Sequence, residues 1–159
     1  MIIIIGVSGS GKTTIGKILS EEINAPFYDA DDFHPLSNVT KMKQGLALND
    51  EDRLPWLTKL SNKIAEWDNK GEAVLACSAL KEKYREILSA KTKNIKWIFL
   101  KGNFELVQTR IEKRNNHFMP KELLRSQFDA LEIPANAIAI DIELAPIETI
   151  KIIMSKIKV

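Results

Sequence analysis

The isoleucine run Ile2-Ile3-Ile4-Ile5 passes without a break into Gly6-Val7-Ser8-Gly9-Ser10-Gly11-Lys12-Thr13, and this junction constrains the fold more than any other part of the chain. Gly6 followed by Gly11-Lys12-Thr13 at this spacing fits the P-loop pattern, in which glycines let successive backbone N–H groups turn inward around a phosphate. The β-branched run suits a buried parallel strand, and Ile15, Ile18, Leu19 and Ile23 recur at helical spacing beyond the loop. Gly6, Ser8, Gly9, Ser10, Gly11, Lys12, Thr13 and Thr14 are therefore the candidate nucleotide cradle. Lys12 is expected to reach the β- and γ-phosphate oxygens, and the Thr13 hydroxyl to ligate the Mg²⁺ that travels with the nucleotide. A flexible glycine turn that happens to contain a lysine is the plain alternative, and the flanking strand and helix speak against it.

Composition limits what such a loop can be attached to. The chain has 159 residues with 45% hydrophobic content, enough for one well-buried domain and too little for a second. Its net charge of +2 provides no basic field for nucleic acid, so a small-molecule partner is expected instead. Cys77 is the single cysteine, which excludes an internal disulfide, fits a reducing compartment and reads as a buried small residue. The N-terminal apolar run is far shorter than the ~20 residues a membrane span needs, and no basic region precedes it. A cytoplasmic protein with no membrane association is expected.

Short apolar segments alternate with helical patterns along the chain, the rhythm of an α/β fold. Met1 to Ile5, Pro26 to Tyr28, Ala73 to Cys77, Lys96 to Leu100 and Ala137 to Ile142 are the candidate strands. Leu57, Leu60, Ile64 and Trp67 mark one helix face, Leu106 and Ile111 another after the Gly102-Asn103 turn, and Ile147 to Ile157 a closing helix. Right-handed crossovers between such strands give a parallel sheet with helices on both faces, and ligands gather beyond the carboxyl ends of its strands.

The acidic stretch Tyr28-Asp29-Ala30-Asp31-Asp32 follows the second strand and belongs at that same end. Asp29 suits the task of orienting Mg²⁺ through its waters, and Asp31 that of hydrogen-bonding a hydroxyl that attacks the γ-phosphate. A solvated acidic turn or helix cap is the alternative, since aspartate is common in both.

Asp29-Ala30-Asp31-Asp32-Phe33-His34-Pro35, then Asn38, Lys41-Met42, Gly45 and Asn49-Asp50-Glu51-Asp52-Arg53-Leu54-Pro55-Trp56-Leu57, resemble the gluconate kinase family. The likeness continues through Cys77-Ser78-Ala79-Leu80-Lys81 with Tyr84-Arg85, Phe99-Leu100-Lys101-Gly102, and His117-Phe118-Met119-Pro120. It ends in Leu123-Leu124-Arg125-Ser126-Gln127-Phe128-Asp129-Ala130-Leu131-Glu132-Ile133-Pro134. A P-loop alone is shared by many unrelated proteins, whereas these blocks in this order are specific.

The resemblance implies a P-loop kinase three-layer fold with a five-stranded parallel sheet in the order 2-3-1-4-5, related to shikimate and adenylate kinases. It implies ATP-dependent transfer to the 6-hydroxyl of D-gluconate, a lid around residues 114–120, and often a homodimer. Ala47 stands where the family usually carries proline, and Asn115-Asn116 occupy a variable lid position; neither touches a group assigned to chemistry. Ala73-Val74-Leu75-Ala76-Cys77-Ser78 lacks a Walker B acid, which leaves Asp29 as the expected outer-sphere Mg²⁺ partner.

A sugar acid calls for a cation at its carboxylate and polar groups at its hydroxyls. His34, Lys41, Arg53, Lys81, Arg85 and Gln127 lie in the matched blocks, and Arg53 is the first choice for the carboxylate because guanidinium meets it in a two-point fork. An ion pair between Arg53 and Asp50 is its alternative. His34 is equally open to capping the following turn, and His117 is ambiguous. Arg114 is a candidate arginine finger, its alternative being a solvated helix-end cation, and Arg110 is a second candidate for ATP contact. Trp56 and Trp67 are assigned to packing. The rival readings are a kinase of this fold acting on shikimate or a nucleoside monophosphate, and a nucleotide-dependent switch without catalysis.

Overall fold

The computed structural model describes residues 1–114 and 119–157. Strand β1 (Ile2–Ile5) is buried at every position because neighbours flank it on both edges and helices cover both faces. It pairs in parallel with β3 (Val74–Ala76), Ile2 opposite Val74 and Ile4 opposite Ala76, and with β4 (Lys96–Lys101), Ile2 opposite Lys96 and Ile5 opposite Phe99. Strand β2 (Phe27–Asp29) adds to β3 and β5 (Ile138–Asp141) to β4, completing an all-parallel sheet in the order β2-β3-β1-β4-β5.

Side-chain alternation along the strands divides the core into two layers. Ile2, Ile4, Val74, Ile98 and Leu100 point to one face, where α1 (Lys12–Glu22), α5 (Phe104–Glu112) and α7 (Pro146–Ile157) cover them through Leu19, Val107 and Ile153. Ile3, Ile5, Leu75, Cys77 and Phe99 point to the other, against α3 (Asp50–Lys70) and α4 (Glu82–Ser89), through Trp56, Leu60, Ile64, Trp67 and Leu88. Each isoleucine so enclosed contributes about 1.5–3 kcal/mol relative to exposure. Two further helices, α2 (Leu36–Lys43) and α6 (Lys121–Ala130), flank the cleft at the carboxyl end of the sheet.

The expected strands are all present, with no bound shifted by more than one residue. The one shift with chemical meaning is in β2, which begins at Phe27 and ends on Asp29, so that this acid is the last residue of the strand. The helix marked by Leu57 to Trp67 is longer than its apolar stripe, beginning at Asp50 under a capping box in which Asn49 and Asp52 exchange side-chain-to-backbone bonds. Asn103 caps α5 by accepting from the Leu106 N–H at 2.8 Å. Among the described residues no helix is long and apolar enough to cross a membrane.

Candidate active site

The loop between β1 and α1 is held in its cradle shape by backbone that side chains do not permit. Gly9 has φ +78°, and a Cβ there would lie 2.7 Å from Ile111 Cγ1; one at Gly6 would lie 2.7 Å from Ser10 Oγ. Lys12 folds back across the loop and donates to the Val7 carbonyl at 2.9 Å. Its half-buried ammonium is pushed below the usual lysine pKa by desolvation, with Asp31 the main opposing influence. Ser10 Oγ is buried without a partner among the described residues.

Thr13 Oγ1 donates to Asp29 Oδ2 at 3.1 Å, while the other Asp29 oxygen accepts from the Asp31 N–H at 3.0 Å. The strand-ending aspartate thus ties the first turn of α1 to the 3₁₀ turn Ala30–Phe33 that carries Asp31. The alternative reading as a cap is met by Oδ1, while Oδ2 meets the hydroxyl expected to ligate the metal. The Thr13 hydroxyl and the Asp29 carboxylate are hard oxygen donors of the kind Mg²⁺ takes. Among the described residues no cluster of three or more His, Cys, Asp or Glu could hold a metal by itself. This donor set fits an ion that keeps most of its ligands from nucleotide and water.

Asp31 lines the same cavity as the loop. Its side chain is open to the cleft, so the rise in its pKa comes from the protein walls around it and from Asp29 rather than from full enclosure; Lys12 opposes the rise. His34 Nε2 lies 3.8 Å from Asp31 Oδ1, and the His34 ring stacks on Trp56 with centroids 4.0 Å apart. The Asn38 amide nitrogen donates to the Asp52 carbonyl at 2.8 Å and reaches His34 Nδ1 at 3.2 Å. Because that nitrogen can only donate, His34 Nδ1 accepts and the ring proton sits on Nε2, toward Asp31. Burial and the Arg53 charge lower the His34 pKa to about 4, so the ring is neutral at physiological pH. His34 therefore interacts with the turn that follows it and also faces the cleft.

Both walls open on one cavity of about 800 Å³. Of the expected residues, Ser8, Gly9, Gly11, Lys12, Thr13, Thr14, Asp29, Asp31, His34, Arg53, Arg114 and Gln127 line it. Gln127, on α6, accepts from the Ser8 N–H at 2.8 Å and donates to Ser8 Oγ at 3.1 Å. Arg53 makes no pair with Asp50; its Nη1 donates to the Leu48 carbonyl at 2.6 Å and to the Tyr84 hydroxyl at 3.1 Å.

Gly6 and Ser10 shape the loop from within. Four expected ligands are engaged elsewhere. Lys41 pairs with Asp52 at 2.6 Å, and Lys81 lies 3.6 Å from Asp50. Arg85 is only 4% exposed and donates to the Ala79 carbonyl at 2.7 Å and the Glu132 carbonyl at 2.9 Å, with Glu82 on its Nε. Arg110 donates to the Ile142 carbonyl, fastening α5 to the turn after β5. His117 lies outside the described residues, as do 115, 116 and 118 of the expected lid.

Ala47 lines the cavity. Trp56, expected as packing, is both core and cleft floor, its indole N–H donating to the Ala30 carbonyl at 2.7 Å. The orienting role of Asn38 was not foreseen, although its i+4 spacing from His34 carried the signal. Cys77 is buried as expected, with its thiol pushed up to about 12, chiefly by desolvation and next by Asp31.

Comparison with known proteins places this arrangement. A family model described as "Shikimate kinase" matches residues 8–139. The gluconokinase of Arabidopsis thaliana is 47% identical over 146 residues, covering 83% of this chain and 77% of that protein. The thermosensitive gluconokinase of Escherichia coli (strain K12) is 46% identical over 133 residues, covering 83% of this chain and 71% of its own length. The crystal structure of a gluconokinase from Sinorhizobium meliloti 1021 superposes with a TM-score of 0.87 at 35% identity, covering 94% of this chain and 86% of that one. By sequence and by fold, this chain belongs to the gluconokinase family of P-loop small-molecule kinases.

Proposed function

We propose that this kinase transfers the γ-phosphoryl group of ATP to the 6-hydroxyl of D-gluconate, giving 6-phosphogluconate and ADP. The observation that carries the reading is that Lys12, Asp31 and Arg53 line a single cavity, with Lys12 and Asp31 close enough to shift one another's pKa. Phosphoryl transfer demands in-line placement and neutralisation of spreading charge more than covalent participation by the protein.

The loop amides of Gly9 and of Gly11 to Thr14, which among the described residues make no bond within the loop, bind the phosphates together with the Lys12 ammonium. Thr13 would ligate Mg²⁺ and Asp29 would orient it through its waters, and the bound ion would supply positive charge at the phosphate oxygens. Asp31 accepts a hydrogen bond from the acceptor hydroxyl, aims it, and takes its proton late in a loose transition state. His34 Nε2–H and Gln127 are assigned to acceptor hydroxyls, and Arg53 to the acceptor carboxylate. Arg114, exposed at the cleft edge after α5, is proposed as the charge that closes over the phosphates, together with the segment ending at Met119 and Pro120. We place the enzyme in the cytoplasm, with a homodimer as its assembly.

A coupled ADP-release assay with MgATP and D-gluconate, shikimate, idonate, AMP or no acceptor tests the reading. Release that depends on gluconate supports it. Release with another acceptor keeps the kinase and discards the substrate, and ATP binding without any release leaves a nucleotide switch.

A further inference from the structure

Arg53 enters the cavity from the N-terminal end of α3 with one edge already occupied. Its Nη1 donates to the Leu48 carbonyl at 2.6 Å and to the Tyr84 hydroxyl at 3.1 Å. Among the described residues, Nε and Nη2 donate to no protein group. A guanidinium is planar and rigid, so fixing Nη1 fixes the direction of the remaining N–H groups. Tyr84 stands behind it, only 3% exposed and outside the cavity lining, with the Arg53 Cζ 5.3 Å from its ring centroid.

The order of the hydrogen bonds is determined by what each group can do. Arginine only donates, so the phenol oxygen accepts from Nη1 and its single proton must go elsewhere. It goes to Asp50, which the Tyr84 hydroxyl contacts directly and which also receives Lys83. The chain Arg53 to Tyr84 to Asp50 therefore runs in one direction, ending on a carboxylate held by cations outside the cavity.

We propose that Tyr84 is a positioning residue for acceptor recognition, its hydroxyl aiming the free edge of Arg53 at the acceptor carboxylate without itself touching substrate. The inference rests on the assignment of Arg53 to that carboxylate. Burial first, and then the bond to Asp50, push the Tyr84 hydroxyl up to about 12, so the relay keeps its proton across the working pH range. The ring has a separate duty. It packs in the layer formed with Leu88 and Trp56, and a phenylalanine would preserve that packing while deleting the relay.

The test compares Tyr84→Phe, Arg53→Ala and the double variant in steady-state kinetics with D-gluconate and MgATP. For Tyr84→Phe the expected result is a gluconate KM raised about tenfold, the scale of a lost hydrogen bond to a charged group. Its kcat stays within about twofold and its KM for ATP is unchanged, which also reports that the fold is intact. In the Arg53→Ala background, Tyr84→Phe should add nothing, because its effect passes through that arginine. Full additivity in the double variant, or a gluconate KM unmoved in Tyr84→Phe while Arg53→Ala raises it, overturns the role of Tyr84 and leaves the Arg53 assignment standing. An unmoved gluconate KM in Arg53→Ala overturns both.

Discussion

Gln127 and Ser8 are joined by two hydrogen bonds of opposite sense, the Ser8 N–H donating to the glutamine oxygen and the glutamine nitrogen donating to the serine hydroxyl. Helix α6 is thereby fastened to the phosphate loop across 119 residues of sequence. Replacing Gln127 by alanine removes both bonds and leaves a loop amide without its partner, at a cost of about 1–3 kcal/mol. The Ser8 amide should then exchange with deuterium roughly ten times faster or more in the substrate-free protein. Unchanged exchange would mean that the pairing does not hold the loop.

Asp31→Asn should retain ATP binding while turnover falls about a hundredfold or more, the usual scale for a lost catalytic base. The carboxylate must be ionised to accept the hydroxyl proton, and its pKa is raised above 3.8. The wild-type kcat/KM should therefore decline with falling pH at a value above that of free aspartate. An acid limb at or below 3.8, or near wild-type turnover in the asparagine variant, would remove Asp31 from the mechanism.

His34 affects stability through the same environment that keeps it neutral. Its pKa is about 4 in the fold against 6.5 in the unfolded chain, so the unfolded state binds its proton first as pH falls. The contribution is fully present above 6.5 and is lost as pH drops through about 4, with an upper bound of about 3 kcal/mol. Urea unfolding at pH 7 and pH 4.5 should show a smaller loss of stability for His34→Gln than for wild type. Equal losses in the two proteins would contradict the assignment.

Gly16 lies inside α1, where alanine ordinarily stabilises by about 1 kcal/mol. Here a Cβ would fall 2.4 Å from Cε2 of Phe27, a half-buried ring packed against the core. Overpacking of about 1–3 kcal/mol exceeds the helical gain. Gly16→Ala should thus lower the denaturation midpoint, and a more stable variant would show that Phe27 yields.

Arg85→Met should destabilise the protein by about 2–4 kcal/mol, since it strips donors from the buried Ala79 carbonyl and the partly buried Glu132 carbonyl. Its gluconate KM should change no more than its KM for ATP. A selective loss of gluconate affinity in a folded variant would return Arg85 to the acceptor site.

The phosphate half of the site was legible because its parts are contiguous: strand, glycines, Lys12 and Thr13 follow one another, and Asp29 needed only the end of β2. The sheet order came from resemblance and agrees with the structure. The acceptor half was less legible because cations in matched blocks look alike until the chain folds. Lys41 meets Asp52 after an intervening loop, and Arg85 meets Glu132 across 47 residues, whereas Arg53 has an edge left over. Tyr84 gave no signal of its own, since a buried aromatic on an amphipathic helix reads as packing alone.

The two walls of the cleft are made of different materials. The phosphate wall is main chain whose shape depends on glycines at Gly6 and Gly9, and almost any side chain added there collides with a neighbour. The wall proposed for the acceptor is side chains, His34 resting on Trp56 and Arg53 braced by Leu48 and Tyr84, each on backbone of ordinary conformation. Inheritance can therefore rewrite one half and not the other. On the proposed roles, single-codon changes retune which hydroxyl compound is accepted, while the nucleotide half tolerates almost no drafts.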